Sequence, residues 1–250
     1  MSTWTAGDGT HIFYEVYGTD TKKEILLLLP GLLGSINKQW KSFIRPLSEN
    51  YRLLLMDLRS HGHSGNNAQD LQPDHMLQDI TGLLSYLNAP ALHVAGYSIG
   101  GYLGLMLAAT QRRRVKTLLV HGTKFYWTKE AANQMRAQLE PDEIAQKAPA
   151  YANQLVQEHG ARHWRILMRQ AAGLINTLVS HGLTEGDVRS IKIPTLVSVG
   201  DRDEIVHLNE AQRLSRMLPV GSLLVLPNVH HSFQTIHPVP LLPMMKEFHK

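Results

Sequence analysis

The sequence predicts an α/β fold: a mostly parallel, eight-stranded sheet with helices on both faces and a helical insertion. Three observations carry this. Short apolar runs ending in turn residues alternate with longer stretches of helical period, the pattern of parallel strands joined by helices. Several of those runs are almost wholly apolar, as strands covered on both sides must be. The alternation breaks once, between His121 and Pro194, over a length too great for one crossover. A chain of 250 residues that is 43% hydrophobic can bury one such core.

A strand near "TWTAG" turns at Asp8 and Gly9 and pairs with residues 11–18 as an antiparallel edge. The next strands are 24–30 ("EILLLLP"), 51–57 ("YRLLLMD"), 92–97 ("LHVAGY"), 115–121 ("VKTLLVH"), 194–200 ("PTLVSVG") and 222–227 ("SLLVLP"). Helices are predicted near 37–48, 74–88, 99–111, 207–218 and 240–249. Residues 1–122 and 191–250 thus form the core domain, with 123–190 as an inserted helical lid. The longest lid helix, near 161–180, sets Trp164, Leu167, Ala171, Leu174 and Leu178 on one apolar stripe, most of it for packing and part of it for roofing a pocket.

A formal net charge of +4 comes from scattered lysines and arginines. The one dense cluster, "QRRRVK" at 111–116, follows an apolar helix, whose C-terminal dipole end favours cations. Nothing here marks a nucleic-acid partner. The absence of cysteine excludes disulfides and a thiol nucleophile. The N-terminus lacks a secretory pattern, and the run "ILLLLPGLL" is interrupted at Pro30 and Gly31 and too short to cross a bilayer, so the expectation is a cytoplasmic chain without a membrane span.

Chemistry is signalled first at Gly96-Tyr97-Ser98-Ile99-Gly100, a G-x-S-x-G between a predicted strand and a predicted helix. Glycines two residues either side permit a sharp turn that thrusts out the serine oxygen. The helix N-terminus below it favours negative charge. Serine needs a base, and the base needs an orienting group. In doubly wound sheets such groups lie in loops beyond the carboxyl ends of strands. The loop "GDRDEIV" offers Asp201, Asp203 and Glu204, and "NVHHSF" offers His230 and His231.

The order serine, acid, histidine, together with "LLLLPGLLGS", "LLLMDLRSHGHSG", "VAGYSIGG", "SVGDRDEIV" and "LPNVHHSF", resembles the α/β-hydrolase superfamily in its branch of small lidded esterase-like enzymes. The resemblance covers nearly the whole chain outside the lid. It implies Ser98 as nucleophile, Asp203 as acid, three residues after Gly200, and His231 as base. His230 stands where the family has glycine, a departure that leaves the pair to be separated. The backbone N–H groups of Leu32 and Ile99 are the implied oxyanion donors, with Pro30-Gly31 where many relatives have His-Gly. Relatives that open epoxides or displace halides carry aspartate at the nucleophile, so Ser98 disfavours both.

The resulting expectation is a serine hydrolase that cleaves carboxylic esters or thioesters of small to medium, partly apolar substrates through an acyl-enzyme. Acyl transfer, cofactor-free carbon–carbon or ketone chemistry on the same residues, and a non-catalytic ligand receptor are the alternatives. Tyr97, Phe125, Trp127 and Trp164 are the candidate substrate-binding side chains. No cofactor is implied. Asp57, Arg59, His61 and His63 in "DLRSHGHSG" suggest a metal site only superficially, because two histidines two apart lack a third ligand. The resemblance makes this segment a brace for the loop near the nucleophile.

Overall fold

The computed structural model describes residues 2–250. Strand β1 (Ser2–Thr5) turns back into β2 (His11–Tyr17), followed by β3 (Ile25–Leu29), the short α1 (Ile36–Gln39), α2 (Lys41–Ser48) and β4 (Arg52–Met56). Then come α3 (Pro73–Tyr86), β5 (Leu92–Tyr97), α4 (Ile99–Thr110) and β6 (Val115–His121). Five helices follow without a strand: α5 (Lys129–Ala137), α6 (Pro141–Lys147), α7 (Pro149–His159), α8 (Trp164–His181) and α9 (Glu185–Arg189). The chain closes with β7 (Thr195–Gly200), α10 (Leu208–Met217), β8 (Gly221–Leu226) and α11 (Pro238–Phe248).

The strands form one sheet in the order β1-β2-β4-β3-β5-β6-β7-β8. Only β1 and β2 run antiparallel to their neighbours; the pairs from β4 to β8 are parallel. The edge hairpin forms where Asp8 and Gly9 were expected to turn the chain: Asp8 Oδ1 accepts the Thr10 N–H at 2.9 Å, and Gly9 takes a φ of 80°. Leucine runs suit the inner strands because alternate residues face opposite layers. Leu27 and Leu29 of β3 join one core with α3, α4 and α10, whereas Leu26 and Leu28 join the other with α2 and α11. These four leucines are fully buried, each stabilising the fold by roughly 2 kcal/mol relative to exposure.

The helix predicted over 37–48 is broken at Trp40, which separates α1 from α2. The break seats the buried indole between Phe43 and Phe233, with ring centroids 5.5 and 5.1 Å away. Helix α3 starts at Pro73, whose missing N–H costs nothing in a first turn, and buries Met76, Ile80, Leu83 and Leu84. In α8 the predicted stripe of Trp164, Leu167, Ala171, Leu174 and Leu178 is buried throughout and continuous with the core beneath it. Among the described residues, no helix is long and apolar enough to cross a membrane.

Candidate active site

Ser98 stands at the junction of β5 and α4 with φ 53° and ψ −117°, a conformation that costs a non-glycine residue on the order of 1–3 kcal/mol. Its surroundings hold it there. The Ser98 N–H donates to the His121 carbonyl at 2.8 Å, and the Ser98 carbonyl accepts the Thr123 hydroxyl at 3.2 Å. The flanking glycines are needed for close approach: a Cβ on Gly96 would lie 2.4 Å from the Gly100 backbone, and one on Gly100 would lie 2.5 Å from the carbonyl oxygens of Leu29 and Pro30. Strand, helix and the loop after β3 therefore meet directly beneath the serine.

Two distant loops complete the arrangement. His231, beyond β8, places Nε2 3.3 Å from Ser98 Oγ, and its Nδ1 lies 3.0 Å from both carboxylate oxygens of Asp203, beyond β7. A carboxylate can only accept, so Nδ1 carries the hydrogen and Nε2 presents its lone pair to the serine. Asp203 has a fully buried side chain. Burial alone would raise its pKa, but the hydrogen bond and charge of His231, with the N–H groups of Val206 and Ile205, bring it below the ordinary carboxylate value. The two N–H groups reach Oδ1 at 2.8 and 2.9 Å.

The neighbouring carboxylates and imidazole take other places. Asp201 is exposed at the strand end. Glu204 accepts the His231 backbone N–H at 3.2 Å and lies 3.4 Å from His230 Nδ1, while half of the His230 side chain faces solvent. On the opposite side of His231, its carbonyl accepts the Tyr97 hydroxyl at 2.6 Å. Tyr97 thus does more than line a wall. The imidazole of His121, below this row, is wholly buried, bonded through Nδ1 to Ser198 Oγ at 3.0 Å, and held neutral by burial with a pKa lowered to about 4.

A cavity of about 640 Å³ opens above Ser98. Ile99 and Leu32 lie on its wall, and neither of their N–H groups donates to another group among the described residues. Tyr97 and Trp127 also line it. Phe125 and Trp164 do not, which corrects the expectation for those two side chains. Phe125 is buried edge-to-face against Tyr126, and Trp164 is sealed within the inserted helices under the Arg165 guanidinium, 4.3 Å from its ring. The stripe of α8 reaches the cavity further along, through Ile175 and Leu178. Sequence reasoning missed Tyr102, Leu139, Ile144 and Phe233 on the wall. Tyr102 had a usable signal, one helical turn after Ser98; the others lie on elements whose facing is decided by packing.

The "DLRSHGHSG" segment folds beside this site. Asp57, completely buried, accepts the N–H groups of Ile36 and His63, both at 2.9 Å, and so ties the start of α1 to the turn at His63. Arg59 forms a two-pronged pair with Asp79 at 2.7 and 2.8 Å and reaches Asp8 at 2.9 Å. His61 bonds to the Arg59 carbonyl, and His63 is largely exposed. Among the described residues, no three histidine, aspartate or glutamate side chains are grouped to hold a metal ion.

Residues 24–164 match the model of the alpha/beta hydrolase fold family. The chain belongs to that family. Among its relatives, a protein of Caulobacter sp. (strain K31) provisionally named carbamate hydrolase RutD is 26% identical over 252 residues, covering 91% of each chain. The 3-oxoadipate enol-lactonase 1 of Acinetobacter baylyi is 23% identical over 212 residues, covering 80% of this chain and 79% of the lactonase. Among solved structures, one from a study of carboxylesterases of Nitrososphaera gargenis superposes with a TM-score of 0.85 at 18% identity, over 99% of this chain and 97% of that one. This last likeness is one of fold. Family and relatives together support hydrolysis as the class of chemistry of this α/β hydrolase.

Proposed function

We propose that this α/β hydrolase cleaves carboxylic esters, and thioesters by the same route, through an acyl-enzyme on Ser98. The observation that carries the reading is the row in which Asp203, His231 and Ser98 stand within hydrogen-bond reach of one another beside the cavity. Ser98 Oγ attacks the acyl carbon as its proton passes to His231 Nε2. Asp203 stabilises the imidazolium, and the carbonyl oxygen, now negative, receives the N–H groups of Leu32 and Ile99. The bond to the leaving alcohol or thiol breaks, and that group takes the proton from His231. Water then attacks the acyl-enzyme, gives a proton to the same imidazole, and frees the acid while Ser98 regains its hydrogen.

The inserted helices act in this reading as a lid, since Ile144 of α6 and Leu178 of α8 contribute to the cavity wall. Its volume and its apolar side chains favour small to medium, partly apolar substrates. The names of two relatives, an enol-lactonase and a carbamate hydrolase, add cyclic esters and carbamates to the substrates worth measuring.

The test is labelling with a fluorophosphonate probe followed by turnover of p-nitrophenyl esters of graded acyl length, matched thioesters, one lactone and one carbamate. Ser98 should carry the probe, Ser98→Ala should not, and the esters should turn over. A folded protein that stays unlabelled and inert would overturn the proposal in favour of a ligand-binding role.

A further inference from the structure

The Leu32 N–H belongs to the loop between β3 and α1, where Leu32 and Leu33 are half-buried between buried Gly31 and Gly34, and a useful oxyanion donor has to be held within a few tenths of an ångström. Two side chains grip this stretch on either side of Leu32. Before it, the Gly31 N–H donates to Gln39 Oε1 at 2.6 Å. After it, the Leu33 carbonyl lies 3.0 Å from His159 Nε2, and Nδ1 of that imidazole accepts the Gly62 N–H at 2.9 Å. A backbone N–H can only donate, so Nδ1 is the bare nitrogen and Nε2 carries the hydrogen that Leu33 receives. One neutral tautomer satisfies both partners.

The local backbone shows why such a grip matters. Leu33 has φ 60°, a left-handed conformation that a leucine avoids, and the tether at its carbonyl opposes relaxation of the adjoining peptide. Gln39 is seated by a neighbour lacking a side chain: a Cβ on Gly34 would lie 2.1 Å from Gln39 Nε2 and 2.6 Å from its Oε1. His159, buried at the end of α7, comes from the lid. The two anchors therefore reach the same loop from the core and from the insertion.

We infer that Gln39 and His159 are positioning residues that fix the Leu32 N–H as an oxyanion donor, an assignment that rests on the acyl-transfer reading above. Both act through the loop backbone. Loosening either lets the donor drift from the place where charge develops, and that weakens the transition state more than the bound substrate. The lid on this account also completes the donor set, through His159.

The test compares wild type with Gln39→Leu, Gly34→Ala, His159→Phe and His159→Gln. The readouts are kcat and KM for p-nitrophenyl acetate and butyrate, the Ki of an aryl trifluoromethyl ketone whose hemiketal oxygen occupies the oxyanion position, and thermal denaturation to confirm folding. Gln39→Leu, Gly34→Ala and His159→Phe should each lower kcat by about ten- to a hundredfold with KM within about twofold, and Ki should rise in step with the loss in kcat/KM. His159→Gln keeps a donor for Leu33 and should recover part of the rate. Gly34→Ala displaces the Gln39 amide without replacing it, and so covers the case in which Gln39→Leu fails to fold.

Folded variants with kcat and Ki unmoved, or with a change confined to KM, would overturn the assignment while an active, probe-labelled wild type leaves the hydrolase reading standing. A wild type that neither labels nor turns over ester would overturn both.

Discussion

The Tyr97 hydroxyl donates to the backbone carbonyl of His231 at 2.6 Å, so the residue before the serine holds the loop that carries this histidine. Its ring supports the same loop, lying 5.5 Å from the His231 ring and 4.9 Å from that of Phe233. Tyr97→Phe keeps this packing and removes one hydrogen bond, leaving the carbonyl without its donor. The expected cost is about 1–3 kcal/mol of stability. Ester turnover should fall less than in His231→Ala and more than in His230→Ala. Thermal melts and kcat/KM measured on the same preparations check both statements.

Substitution of the paired groups should separate neighbours that look alike in sequence. His231→Ala removes the proton acceptor of the proposed mechanism and is expected to cost about 10²–10⁴ in rate, whereas His230→Ala, half exposed beside Glu204, should stay within a few-fold of wild type. Asp203→Asn should cost far more turnover than Asp201→Asn, because only Asp203 meets the imidazole. Equal losses within either pair would contradict the geometry.

Acid should destabilise the fold well before the ordinary carboxylates titrate. Burial holds His61 and His249 at pKa values of about 3, and His121 and His159 at about 4, against an unperturbed 6.5. A histidine depressed in the folded state binds its proton more readily once unfolded. Its contribution is complete above pH 6.5 and is lost as pH falls toward those lower values. Asp203, also depressed, adds a further loss below the usual carboxylate range. Calorimetry should find the melting temperature lower by more than about 5 °C at pH 5 than at pH 7.5. A flat profile would mean these imidazoles are not the neutral, buried groups described.

Gly100→Ala tests the packing beneath the serine. The added methyl would meet backbone oxygens of Leu29 and Pro30, which cannot swing aside as a flexible side chain would. A loss of about 1–3 kcal/mol is expected, or roughly 2–4 °C of melting temperature for each kcal/mol in a chain of this size. Scanning calorimetry of the variant reads it directly.

Much of the architecture was legible because its signals are local. The leucine runs of β3 and β4 and the turn at Asp8 and Gly9 encode strands and a hairpin with no reference to distant residues. The unbroken helix predicted over 37–48 failed at Trp40, where burial of an indole against Phe233, far along the chain, outweighed local helical preference. The same limit applied to the cavity. Trp127 and Trp164 are both aromatic residues of the insertion, yet one lines the wall and the other is sealed under Arg165.

By itself the sequence determined the sheet, the glycine-flanked serine and the small set of acids and histidines that follow the last two strands. Those are properties of short segments, set by side-chain periodicity and backbone sterics. Tertiary structure set Asp203, the acid that the family resemblance favoured, against His231, and it alone decided that Tyr97 braces the His231 loop and that Gln39 and His159 converge on one stretch of backbone. Each of these depends on directions in space between residues well separated along the chain, and spacing in a sequence does not record direction.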